Sequence, residues 1–131
     1  GSAGATEIPL LGAVAAGYPI ESVMSGEVVP VPDSMLPRRG PNYALRVRGE
    51  SMIDEQILDG DIVVVNGRET ADNGEMVIAL VNGSEATVKR FYREPGGWIR
   101  LQPANPVMRP LRYQERDVLI QGIVVGVLRR Y

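Results

Sequence analysis

Two residues in this sequence could together do chemistry, namely Ser51 and Lys89. Ser51 comes just after the alternating strand pattern of Tyr43–Arg48 is broken at Gly49, and it heads a short segment with apolar residues at helical spacing. A serine at such a place commonly caps a helix, because its hydroxyl accepts hydrogen bonds from unpaired backbone N–H groups. Capping is therefore the alternative to a nucleophilic role for Ser51.

The residue types that the chain lacks decide which base could activate this serine. The 131 residues include no histidine and no cysteine, and Lys89 is the only lysine. A histidine-based triad is therefore excluded, and arginine keeps its proton and cannot act as a general base. A lysine can do so if burial lowers its pKa by penalising the charged form. A serine hydrolase built from this sequence would be a Ser–Lys enzyme, whereas the alternative is that Lys89 is an ordinary solvated lysine.

Length and composition indicate a single soluble globular domain, which can bury roughly two thirds of its unfolded surface. The net charge of −2 argues against a nucleic-acid clamp. No apolar stretch has the length of a membrane span, and the N-terminus lacks a basic region followed by an apolar core. The absence of cysteine fits a reducing compartment, so we expect a cytoplasmic protein. Residues 1–7 are predicted to be a linker or cloning remnant, and residues 8–131 the domain.

Short strands separated by turn signals, with few helical patterns, predict a mainly β fold. Asn82-Gly83 is a strong hairpin signal between two of these strands. On the second of them, Thr87, Lys89 and Phe91 share one face, and both faces carry apolar residues. We therefore expect Lys89 to be partly buried inside the sheet. The predicted strands are Ile8–Val14, Val28–Pro32, Tyr43–Arg48, Ile62–Val65, Met76–Val81, Glu85–Tyr92, Trp98–Gln102 and Val118–Leu128.

Three motifs occur in order along the chain: Ala15-Ala16-Gly17, then Gly49-Glu50-Ser51-Met52 followed by Asp59-Gly60-Asp61, and finally Thr87-Val88-Lys89-Arg90. Each is modest alone, but the ordered set resembles the C-terminal self-cleaving domain of LexA-type repressors, and the distances between the motifs are of the size that this family shows. The resemblance extends from about Ile8 to the C-terminus. It implies a compact LexA/signal-peptidase-like β domain with a short helical turn at the nucleophile.

The same resemblance implies roles for individual residues. Ser51 would be the nucleophile, Lys89 the general base, and the bond between Ala16 and Gly17 the substrate. Val14 and Ala15 would belong to the recognised cleavage segment, and backbone N–H groups of Glu50 and Ser51 would hold the developing oxyanion. No cofactor and no metal ion are expected.

Four predictions concern the partners of this chain. An apolar strand such as Val118–Leu128 would invite pairing if it were an exposed edge, so we expect a homodimer through this C-terminal strand. The resemblance implies the RecA–single-strand DNA filament as co-protease. We expect operator DNA to be bound only through an N-terminal helix-turn-helix domain that this chain lacks, and we expect no membrane partner.

Several alternatives remain beside this interpretation. Phage repressors and UmuD-type proteins share the serine, the lysine and the fold, although UmuD-type proteins usually carry cysteine where this chain has Ala16. Signal peptidases also use serine and lysine, but they need a membrane anchor. In a different class, the chain could be a non-catalytic dimerisation module in which Ser51 is only a cap and Lys89 is solvated.

Overall fold

A computed structural model of the chain describes residues 4–15, 27–83 and 85–129. Within these ranges the protein is mainly β, as predicted, and no helix is long and apolar enough to cross a membrane. Short 3-10 helices cover Asp33–Met35, Ile53–Glu55 and Glu115–Asp117. The strands are β1 (Ala5–Ala15), β2 (Val28–Pro32), β3 (Asn42–Arg48), β4 (Ile62–Asn66), β5 (Met76–Val81), β6 (Glu85–Glu94), β7 (Trp98–Gln102), β8 (Leu111–Gln114) and β9 (Val118–Leu128).

The strands form one sheet in the order β2-β1-β3-β4-β9-β5-β6-β7-β8. Neighbouring strands are antiparallel except for β1 and β3, which are parallel. β1 begins at Ala5, so residues 5–7, whose composition predicted a linker, pair with β2. The hairpin between β5 and β6 is the predicted one, with Val81 opposite Glu85, and both Asn82 (φ 52°) and Gly83 (φ 74°) have positive φ.

The predicted strand Val118–Leu128 forms, but it is not an outer strand of the sheet. This strand, β9, lies in the middle of the sheet order and joins its two halves. Residues Val118–Ile123 pair with β5, and residues Ile123–Leu128 pair with β4. In the described residues each half of β9 is thus paired along one side. An apolar run predicts a strand, but the sequence does not show which distant strands pair with it.

The alternation of side chains along the strands divides the core into three apolar clusters. One cluster lies between the two halves of the sheet and includes Met52, Ile57 and Val88. A second, with Val77 and Phe91, covers the other face of β5 and β6. The third packs β1 and β2 against β3 and β4. The segment that carries Ser51 is therefore fastened to the centre of the molecule through Met52.

Candidate active site

The segment that carries Ser51 begins where β3 ends, at Gly49. Gly49 has φ 92°, which favours glycine, and its N–H donates to Asp59 Oδ1 at 2.9 Å. Ser51 follows in a turn and is 9% exposed. The N-cap of the next 3-10 helix is Met52, and no side-chain hydrogen bond caps that helix. Ser51 therefore does not cap this helix, which was the alternative to a nucleophilic role.

Lys89 lies on β6, between β5 and β7, and it is 4% exposed. Val77 on β5 lies directly opposite Lys89 and belongs to an apolar cluster that also contains Phe91. The predicted apolar surroundings of the lysine are therefore present. Burial lowers the pKa of Lys89 to about 8, because the charged amine loses its solvation. The ammonium donates a hydrogen bond to the Thr87 hydroxyl. A solvated lysine, the second premise of the non-catalytic alternative, is therefore contradicted.

The end of β7 brings the two elements together. β7 pairs with β6 only from Arg90 onward, with Gln102 opposite Arg90, and the chain then leaves the sheet. Two residues later, the Ala104 N–H donates to the Ser51 carbonyl at 2.7 Å. The backbone at Ser51 therefore lies beside the end of β7 that faces the strand of Lys89.

An ion pair links the same two elements directly. Arg90, the residue after Lys89, donates from Nε to Glu55 Oε1 at 3.0 Å and from Nη2 to Glu55 Oε2 at 2.5 Å. Its Nη1 also donates to the Gly74 carbonyl at 2.8 Å. No hydrogen bond joins Lys89 to Ser51 among the described residues. The structure thus brings together the elements that carry the two residues, while the lysine itself contacts Thr87.

The predicted cleavage segment is described only up to Ala15. Val14 pairs with Val47 and Ala15 with Arg48, in the parallel ladder between β1 and β3. This places the backbone of the segment beside the last residues before the Ser51 turn, and β1 also contacts β6. Ala16 and Gly17 lie outside the described residues, so the place of the predicted bond stays a prediction.

Sequence reasoning missed four side chains that shape this site, namely Thr87 as the hydrogen-bond acceptor of Lys89, the paired Arg90 and Glu55, and Asn105. Asn105 Nδ2 donates to the Glu50 carbonyl at 2.8 Å. Only the Thr87 pairing had a signal in the sequence, since a residue two positions from Lys89 shares its strand face. Asn105 comes from a proline-rich stretch that sequence patterns left irregular.

Comparison with known proteins agrees with this fold. Residues 9–125 match the family described as Peptidase S24-like, and the chain belongs to that family. The chain is also similar to LexA repressors. It is 51% identical to the one from Cereibacter sphaeroides over 131 residues, which cover 99% of this chain and 57% of the relative.

Two further LexA repressors show the same degree of similarity. The one from Syntrophobacter fumaroxidans is 52% identical over 98% of this chain and 61% of its own length. The one from Clostridioides difficile is 48% identical over 94% of this chain and 58% of its own length. The chain thus spans little more than half the length of these curated relatives.

Proposed function

We propose that this chain is the self-cleaving and dimerising domain of a LexA-type repressor, with Ser51 as nucleophile and Lys89 as general base. The observation that carries the proposal is the burial of Lys89, with its pKa lowered to about 8, on a strand tied to the Ser51 segment. Near this pH a large fraction of the amine is neutral and can accept a proton. The similarity to LexA repressors supports the same function.

The reaction then proceeds through an acyl-enzyme. Lys89 Nζ takes the hydroxyl proton of Ser51 as Oγ attacks the carbonyl carbon of Ala16. The bond from Ala16 to Gly17 breaks when the protonated lysine returns that proton to the Gly17 amine. Lys89 next deprotonates a water molecule, which hydrolyses the ester on Ser51. Backbone N–H groups of Glu50 and Ser51 stabilise the oxyanion in both steps.

The substrate is supplied by the same chain. Pairing of Val14 and Ala15 with β3 directs the cleavage segment toward the Ser51 turn, which supports cleavage in cis. A tethered substrate needs no separate binding pocket, because its position is already restricted. Control lies in an equilibrium between docked and withdrawn positions of the loop around Ala16–Gly17, and the RecA–single-strand DNA filament favours the docked position.

Repression requires two copies joined to DNA-binding domains. We place the homodimer contact on β9, because each half of this strand is paired along one side in the described residues and its Leu119 side chain is 62% exposed. Operator DNA is bound by an N-terminal domain of the longer protein. Cleavage between Ala16 and Gly17 would break the covalent link between that domain and the dimer contact, and operator binding would weaken through lost bivalency once the two fragments part.

The experiment that tests the proposal is incubation of the chain at pH 9 to 10, followed by denaturation and mass measurement. We expect two fragments, one ending at Ala16 and the other starting at Gly17. The variants Ser51→Ala and Lys89→Ala should each cut at least about 10³-fold more slowly. Ser34→Ala, which changes a serine in a distant 3-10 helix, should cut at the original rate.

Two further measurements complete this test. Addition of RecA–single-strand DNA filaments at neutral pH should raise the rate of the original chain and leave Ser51→Ala uncut. A chain that remains intact at pH 10, or that is cut equally well without Ser51, would overturn the proposal.

A further inference from the structure

Asn105 is a buried polar residue beside an otherwise exposed loop. Its side chain is 8% exposed, whereas Pro106, Val107 and Met108 are all exposed. Both ends of its amide are used, since Nδ2 donates to the Glu50 carbonyl at 2.8 Å and Oδ1 accepts from the Val107 N–H at 3.0 Å. The orientation of the amide is therefore fixed, and its donor is directed at the residue before Ser51.

The neighbouring residue holds the next peptide in the same way. The Ala104 N–H donates to the Ser51 carbonyl, and the Ala104 carbonyl accepts from the Asp54 N–H, both at 2.7 Å. Two consecutive carbonyls, those of Glu50 and Ser51, thus point toward the loop at residues 104–105. The turn around Ser51 is attached to the end of β7 by three hydrogen bonds.

The direction of these carbonyls determines where the N–H groups point. In a trans peptide the C=O and N–H bonds are antiparallel, and no cis peptide bond occurs in the described residues. The N–H of Ser51 belongs to the same peptide as the Glu50 carbonyl, so it points away from Asn105. The N–H of Met52 likewise points away from Ala104, and neither N–H donates a hydrogen bond within the described part of the chain.

Satisfying the Glu50 carbonyl does not by itself explain the Asn105 contact. That carbonyl already accepts from the Ile53 N–H at 3.4 Å within its own turn. The shorter bond from Asn105 adds a second donor, which restricts rotation of the peptide between Glu50 and Ser51. Side chains that restrain a reactive backbone in this way supply the preorganisation on which oxyanion stabilisation depends.

We propose that Asn105 is a positioning residue that holds the peptide between Glu50 and Ser51 so that the Ser51 N–H faces the carbonyl under attack. This inference rests on the proposed function, because it takes Ser51 as the nucleophile. It assigns the loop at residues 103–107 to the site as the support of the oxyanion-binding backbone.

The test compares two reactions of Ser51 in the variant Asn105→Ala. One is self-cleavage, and the other is phosphonylation by a fluorophosphonate probe, in which Ser51 Oγ bonds to phosphorus, fluoride leaves and Lys89 takes the hydroxyl proton. The phosphoryl oxygen needs the same N–H donor but no docked cleavage segment. We expect both plateau rates, measured well above pH 8, to fall by about 10- to 100-fold. This is less than the rate loss on removing an oxyanion donor outright, because the variant keeps the Ser51 N–H and only loosens its orientation.

A matched control removes a buried asparagine elsewhere. Asn66 is 1% exposed and its Nδ2 donates to the Arg39 carbonyl at 2.7 Å, at the other end of β4. Asn66→Ala should lose stability as Asn105→Ala does, yet keep both reaction rates within about twofold, because the Ser51 peptide is untouched. If Asn105→Ala does not fold, Asn105→Asp is the second variant, since it keeps the acceptor for Val107 and replaces the donor to the Glu50 carbonyl with a carboxylate oxygen.

The possible outcomes are distinct. A wild-type rate of phosphonylation in the Asn105 variants would overturn the inference, and so would an equal loss in Asn66→Ala. Reduced self-cleavage with unchanged phosphonylation would also overturn it, because Asn105 would then act on the cleavage segment. If the original chain neither cuts itself nor reacts at Ser51, the proposed function fails instead.

Discussion

Asp61 and Lys89 are charged side chains buried to nearly the same degree, 3% and 4% exposed, and the protein surrounds them differently. The Asp61 carboxylate accepts hydrogen bonds from Arg129 Nε at 2.8 Å and Nη2 at 2.7 Å, and another from the Leu58 N–H at 2.8 Å. Lys89 has the Thr87 hydroxyl, and no carboxylate pairs with it within the described residues. One buried charge is compensated, and the other is not.

The pKa values show what this difference does. The hydrogen bonds from Arg129 lower the pKa of Asp61, so the carboxylate stays ionised and holds the turn that follows the Ser51 segment. Burial without an opposite charge lowers the pKa of Lys89 to about 8, so the amine gives up its proton easily. A paired buried charge stabilises a structure, whereas an unpaired one is costly and is suited to proton transfer.

The largest expected effect comes from breaking the compensated pair. Arg129→Met leaves the buried carboxylate of Asp61 without its partner, and we expect the free energy of unfolding at pH 7 to fall by about 3 kcal/mol. This loss is near the low end for buried pairs, because the Arg129 side chain is partly exposed. Urea unfolding measures the loss. The difference should shrink as pH falls through the lowered pKa of Asp61, because a protonated carboxyl no longer needs the cation.

The control for this variant is an exposed ion pair. Arg112 pairs with Glu94 at 2.9 Å, but its side chain is 64% exposed, so Arg112→Met should cost less than about 1 kcal/mol. Equal losses in the two variants would contradict the contrast between compensated burial and surface pairing.

The next effect concerns the uncompensated charge and the rate of self-cleavage. Only neutral Lys89 can act as a base, so the rate should rise nearly tenfold per pH unit below its pKa of about 8 and level off above it. Between pH 6 and pH 8 we expect an increase of about fiftyfold. The prediction is checked by first-order rates of self-cleavage across this pH range, followed by gel or mass measurement. A rate that does not change with pH would contradict it.

Replacing Lys89 should abolish cleavage and also stabilise the fold. The pKa of Lys89 is 10.5 in the unfolded chain and about 8 in the folded protein, so the unfolded state binds the proton more tightly. At pH 7 this difference in proton binding lowers the free energy of unfolding of the original chain by about 3 kcal/mol. Replacing Lys89 removes this cost, but it also removes the hydrogen bond to Thr87, which offsets about 1 kcal/mol of the gain. We therefore expect Lys89→Met to raise the free energy of unfolding by about 2 kcal/mol.

The pH dependence separates this gain from a general improvement in packing. The cost of charged Lys89 is present below pH 8 and disappears as pH rises toward 10.5, so the advantage of Lys89→Met should vanish there. Ser51→Ala, the matched inactive variant, should show no such pH-dependent gain. A Lys89→Met chain less stable than the original at pH 7 would refute the idea of an uncompensated charge.

The smallest effect tests a strained residue beside the compensated pair. Gln56 has φ 60° and ψ 28°, a left-handed conformation, and its carbonyl accepts from Arg129 Nη2 at 2.7 Å. Gln56→Gly removes the strain and keeps the carbonyl, so we expect a gain of about 0.5–1 kcal/mol. Gln102→Gly, on the regular strand β7, should instead destabilise the chain in the same urea assay.

Local patterns in the sequence predicted much of the fold. The bounds of Trp98–Gln102 and Val118–Leu128 agree with β7 and β9, because alternation or a long apolar run and flanking turn residues define a strand locally. β8, at Leu111–Gln114, was missed since it follows three prolines and forms by pairing with β7. The central place of β9 likewise depends on β4 and β5, which its own sequence does not reveal.

The candidate site was predicted to a similar extent. Ser51 and Lys89 stood out because the chain has no histidine, no cysteine and one lysine. The side chains that support them were not predictable, since Asn105 lies 55 residues from Glu50 and Arg129 lies 68 residues from Asp61. Residue types reveal possible chemistry, whereas contacts over such separations arise only when the chain folds.

The position of β1 in the sheet has a consequence for the fate of the cut protein. β1 lies on the N-terminal side of the proposed bond, yet it is hydrogen-bonded to β2 on one side and β3 on the other, with Ile8 buried. Hydrolysis would therefore leave a nicked complex in which the departing piece is still interleaved as a strand. Release of the two fragments would then be timed by the peeling of that strand rather than by the chemistry, and the nicked form would migrate as one species until denatured.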